Sequence, residues 1–137
     1  MQIIFYKAKY GSFTDKLIAF FTHSKYSHVE LVFSDGVCGS SSARDGGVRL
    51  KTIDMDSHWD IFDLPNVYDE SAIRYWFYIN DGDSYDWLGA ISSVFRIDLT
   101  TEDKKFCSYT VAINLGLSPI RSPGSLYRTL VRQGTIK

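Results

Sequence analysis

The sequence predicts an α+β protein in which an antiparallel sheet packs against helices. Three observations carry this: strand-like alternation lies before residue 65, helix-like spacing lies after residue 69, and Asp-Gly and Gly-Gly turns punctuate the strands. Strands grouped first and helices grouped later disfavour the alternating order that builds a parallel sheet. The 137 residues suit one domain with one core, spanning 1–137, and no repeat or linker divides it.

Met1-Gln2-Ile3-Ile4-Phe5-Tyr6-Lys7-Ala8 reads as the first strand. Gly11-Ser12-Phe13-Thr14 supplies a turn and an N-cap for a short helix near 14–22, where Leu17, Ile18, Phe20 and Phe21 are apolar, and polar Thr22-His23-Ser24-Lys25 ends it. The segments His28–Phe33 and Val37–Ser42 flank Ser34-Asp35-Gly36, a hairpin signal because glycine tolerates positive φ. Asp45-Gly46-Gly47 turns the chain into Val48–Ile53, and Trp59–Leu64 alternates again before Pro65, so the expectation is a meander of four strands plus the N-terminal one. Ala72, Ile73, Trp76, Phe77 and Ile79 recur at helical spacing over 69–79, as do Leu88, Ile91, Val94 and Phe95 over 85–95. Caps at Thr100-Thr101-Glu102-Asp103 precede a helix that carries Cys107, Val111, Ile113 and Leu115 and stops at Gly116; a last helix follows Ser122-Pro123-Gly124.

Composition narrows the function. Hydrophobic residues make up 45% and aromatics 15%, enough to build a core. Fifteen basic and sixteen acidic residues give a net charge of −1 with no basic run, which disfavours nucleic acid as a partner. Two cysteines, Cys38 and Cys107, allow one disulfide where small secreted scaffolds usually carry more, so a reduced compartment is expected; no metal-ligand cluster or cofactor motif stands out. The N-terminus lacks the features of a secretory signal, and Leu17–Phe21 falls far short of the roughly 20 apolar residues that span a bilayer. A cytoplasmic location without a transmembrane segment is the expectation.

Cys107 is the residue with most chemistry in it. At the opening of a helix, the unpaired N–H groups of the first turn favour thiolate over thiol, and His28, at the head of an alternating strand, is the natural proton acceptor if the fold joins them. Cys38, inside a predicted strand, suits buried packing. His23 and His58 read as loop residues, and Trp59, Trp76 and Trp87 as core or rim packing. Ser41, Ser42, Arg44 and Asp45 form a polar loop beside the hairpin that suits substrate contact or turn chemistry equally.

Three segments together carry a resemblance. Gly82-Asp83-Ser84-Tyr85-Asp86-Trp87-Leu88-Gly89, Phe106-Cys107-Ser108-Tyr109-Thr110-Val111 and His28-Val29-Glu30-Leu31-Val32-Phe33-Ser34-Asp35-Gly36 resemble the motifs of the NlpC-type branch of papain-like cysteine hydrolases, in circularly permuted order with the histidine hairpin first. That group includes the YiiX and YaeF proteins and, more distantly, the lecithin:retinol acyltransferase family. The likeness spans roughly residues 27 to 130 and implies a permuted papain-like fold with Cys107 as nucleophile and His28 as base. It also implies a third polar residue on the paired strand. Spacing puts Ser40 there, twelve positions past His28, although a hydroxyl supports an imidazolium less than a carboxylate does. Glu30, two residues past His28 and on the same strand face, is the rival.

The resemblance further implies attack by the Cys107 thiolate on a carbonyl carbon, an acyl-enzyme, and release by water, with the Cys107 N–H and the Tyr85 hydroxyl beside the oxyanion. The expected substrate is an amide in a peptide or a peptidoglycan fragment. Acyl transfer, or hydrolysis of a thioester or lipid ester on an acyl-bearing substrate, is the first alternative, and a non-catalytic binding module on the same fold is the second.

Overall fold

Three successive apolar residues, Ile3, Ile4 and Phe5, cannot all be satisfied on an edge strand with one wet face, and the chain buries all three completely. They lie on β1 (Gln2–Lys7), flanked on both sides in an antiparallel sheet with β2 (Tyr26–Val32), β3 (Cys38–Ser42), β4 (Gly47–Lys51) and β5 (Trp59–Asp63) in the order β4-β3-β2-β1-β5. The structure is a computed structural model that describes residues 1–42, 44–83 and 106–137, with the backbone alone at Thr14. The helix expected over 85–95 and the caps at 100–103 lie outside those residues.

The α+β class and the antiparallel sheet stand as expected, but the four-strand meander does not. Only β2, β3 and β4 follow one another; β5 crosses to the far edge and pairs with β1, Ile4 opposite Ile61 and Tyr6 opposite Trp59. The apolar run of β1 decides this, because it needs strands on both of its edges. The alternation within β5 fits an edge, with Phe62 packed against the core and Ile61 45% exposed. The Asp35-Gly36 hairpin forms with Gly36 at φ 83°, and the Phe33 N–H donates to Val37 O across it at 2.9 Å.

Helix α1 (Phe13–Phe21) starts at a reciprocal capping box between Ser12 and Asp15. Helix α2 (Glu70–Ile79) is capped by the Asp69 side chain, α3 (Cys107–Asn114) begins at the cysteine, and α4 (Pro123–Arg132) is capped by Ser122 with proline in its first turn. One face of the sheet, with Ile3, Phe5, Val29, Leu31 and Val48, meets Ile73 and Phe77 of α2, Val111 and Ala112 of α3, and Leu126 and Leu130 of α4 in one buried cluster. Gly39 lets β3 approach α2: a Cβ there would sit 3.0 Å from the Phe77 ring.

His28 and Glu30 of β2 and Arg49 of β4 lie on the opposite sheet face. A register break where Tyr6 pairs His28 and Lys7 pairs Tyr26 leaves Ser27 as an extra residue, a β-bulge. Without it, Tyr26 and His28 would share a face; with it, Tyr26 turns into the aromatic core, 5.0 Å from the rings of Phe5 and Tyr127, while His28 stays in line with Glu30.

Candidate active site

Helix α3 opens at Cys107 because Phe106 holds an extended conformation, φ −105° and ψ 163°, and its buried ring anchors the turn. Phe106 makes no side-chain cap, and the first-turn N–H donors of a helix favour negative charge at its mouth. The chain-distant thiol and imidazole are neighbours there, close enough for Cys107 to act directly on the His28 ring. Burial works against a charged ring, but the charge and hydrogen bond of Cys107, and after them those of Glu30, outweigh it and raise the His28 pKa to about 10. At neutral pH the ring therefore keeps its proton. Cys107 is 3% exposed and the His28 side chain 21%.

Glu30 occupies the position beside the ring. Its Oε1 lies 3.0 Å from His28 Nε2, which leaves Nδ1 as the ring nitrogen for the sulfur. The carboxylate is only 2% exposed, and a buried charge needs partners. Arg49 supplies them through a fork, with Nη1 donating to Oε2 at 2.8 Å and Nη2 to Oε1 at 2.6 Å. Burial alone would push the Glu30 pKa up; the hydrogen bonds and charges of His28 and Arg49 hold it below the usual carboxylate range. Arg49 Nε in turn donates to Asp45 at 2.8 Å, and Lys51 Nζ donates to the other Asp45 oxygen at 2.9 Å. Hydrogen bonding from Arg49 is the main cause that lowers the Asp45 pKa to about 2. A run of alternating charge thus leads from the imidazole through Glu30, Arg49 and Asp45 to Lys51.

Ser40 does not hold the place its spacing suggested. It is fully buried and its hydroxyl donates to the Val29 carbonyl at 2.7 Å. Register explains the exchange: Ser40 pairs with Arg49 on β4, in the row where Glu30 receives the guanidinium, and a hydroxyl on one carbon reaches only the neighbouring backbone, while the longer glutamate spans to the ring. Sequence reasoning missed Arg49 and gave Asp45 to substrate contact or turn chemistry. Their signal was present but weak: Arg49 and Lys51 alternate on β4 and so share a strand face, and Asp45 precedes Arg49 by four residues.

The remaining candidates separate. Tyr85 and Trp87 lie outside the described residues, as does all of the glycine-tyrosine-tryptophan motif beyond Asp83. Cys38 is fully buried, and burial, with the Glu30 charge second, raises its pKa to about 11. Both thiols are free. Trp59 packs against the small cluster of Ile4, Val32 and Cys38, with its ring 6.3 Å from that of His28. His58 stacks on Tyr10 at 4.2 Å.

Comparison with known proteins finds neither a matching family model nor a matching curated protein. Among the described residues no helix is long and apolar enough to cross a membrane.

Proposed function

We propose that the protein is a cysteine hydrolase of the permuted NlpC type, cutting an amide bond in a peptide or peptidoglycan-type link. The observation that supports this best is the nearness of Cys107, at the first turn of α3, to an imidazole held by a buried carboxylate. In the proposed cycle the Cys107 thiolate attacks the carbonyl carbon and the carbonyl electron pair moves to oxygen, where first-turn N–H groups of α3 donate to it. Collapse breaks the C–N bond while the His28 imidazolium gives its proton to the departing amine, leaving a thioester on Cys107. Neutral His28 then takes a proton from water, the hydroxide attacks the thioester carbon, and the C–S bond breaks to return the thiolate and the acid product. Glu30 holds the ring tautomer throughout, and Arg49 holds Glu30.

The test is labelling of the folded protein with a chloroacetamide probe, located by peptide mass. Cys107 should be modified in preference to Cys38, and His28→Ala should slow that modification by roughly 100-fold or more, the range of a positioned base. Equal modification of both thiols, or none at Cys107, would refute the proposal.

A further inference from the structure

Helix α1 turns an apolar face outward. Phe13 is 75% exposed, Leu17 38% and Phe20 73%, and the three recur at i, i+4 and i+7, the spacing of a single helical stripe. Lys16 flanks the stripe, and the preceding 3-10 turn (Ala8–Tyr10) adds Tyr10, 44% exposed, with Lys9 Nζ 4.6 Å above its ring. Asp15, the one acid of the helix, is turned away: its carboxylate closes the cap with Ser12 and pairs with Arg44 at 3.6 Å. The outward face is thus aromatic and aliphatic with cationic edges, while α1 packs against β2, the strand that carries the imidazole.

We propose that this face of α1 docks on an anionic membrane surface, placing the Cys107–His28 end of the molecule next to the lipid headgroups. Two features choose this occupant. The edge charges are lysines, which complement acidic headgroups, and the pattern of phenylalanine and leucine with lysine beside them is that of a helix lying in the interface plane. Size argues against a second copy of the chain: a helix of nine residues is about 14 Å long and about 10 Å wide, a footprint far below the ~800 Å² that each partner buries in a standard interface. Docking needs no catalysis, so it stands or falls apart from the hydrolase reading.

The experiment is co-sedimentation with vesicles of phosphatidylcholine alone or with phosphatidylserine added. The full chain should pellet with the serine-lipid vesicles and much less with phosphatidylcholine, and added salt should weaken the binding. Phe13→Ser with Phe20→Ser should lower the vesicle partition at least about tenfold, given the apolar surface removed. Lys9→Glu with Lys16→Glu should abolish the preference for anionic lipid. These are exposed positions, and unchanged far-UV circular dichroism will show that the variants fold. Cys107→Ala should bind vesicles as the parent does, separating docking from chemistry. No pelleting of the parent protein, or equal pelleting after the phenylalanine changes, overturns the proposal; so does a dimer in sedimentation velocity that those same changes dissolve, which gives the face to a second copy.

Discussion

Replacing Glu30 by Gln tests whether the carboxylate sets the protonation of the imidazole. The glutamate contacts His28 Nε2 at 3.0 Å from a site 2% exposed to solvent, so its charge acts with little screening. A hydrogen bond to a charged partner contributes about 1.5–3 kcal/mol, which corresponds to about one to two pKa units. Glu30→Gln should therefore lower the His28 pKa from about 10 by that amount, with Cys107 still supporting the charged ring. Titration of ring-labelled histidine by NMR reads the value directly and does not depend on turnover. The linkage has a definite sign: a raised histidine pKa adds stability that is fully present below the unfolded value of about 6.5 and is lost as pH rises through about 10. The lowered Glu30 pKa adds stability that is lost as pH falls through its folded value. The stability difference between parent and variant should thus be greatest between those limits and fade on both sides. Because Glu30→Gln removes the charge that the Arg49 Nη1 and Nη2 fork faces while Asp45 still holds Nε, Glu30→Gln with Arg49→Met separates the two roles: folding stability should recover in part, while the His28 pKa stays low. An unmoved His28 titration in Glu30→Gln, or an equal shift in Ser40→Ala, would refute the assignment.

Ser40→Ala should leave chloroacetamide labelling of Cys107 nearly unchanged and cost about 1–3 kcal/mol in denaturant unfolding, since it strips the buried Val29 carbonyl of a donor. Phe77→Ala should destabilise by about 3–5 kcal/mol, because the ring is fully buried between α2 and β3 in the central cluster. Gly39→Val should also destabilise, as its side chain would meet that ring; the double variant Gly39→Val with Phe77→Leu should recover part of the loss, and additive losses in the denaturation midpoints would contradict the contact.

Local sequence was enough for several elements, and their signals were local in kind. The Asp35-Gly36 turn, the Ser12 cap, the helical period over 69–79 and the helix opening at Cys107 each depend on residues within a few positions of one another, where steric and hydrogen-bonding rules act without the rest of the chain. The motif reading named the thiol and the ring. It also named Glu30 as the rival to Ser40.

Tertiary structure decided what depends on partners far apart in the chain. The apolar run of β1 showed that the strand is buried, not which strand would take its second edge, and only the fold sends β5 there. The bulge at Ser27 is likewise invisible to alternation, yet it separates the faces of Tyr26 and His28. The choice between Ser40 and Glu30 turned on reach and charge: a row that crosses β2, β3 and β4 puts Arg49 against Glu30, and a buried carboxylate stays ionised only where such a partner meets it. Residue types and spacing determined which groups can do acid–base and nucleophilic chemistry. Which of them share a dry site, and hence which proton is held by which atom, followed from pairing and burial that no short stretch of the chain contains.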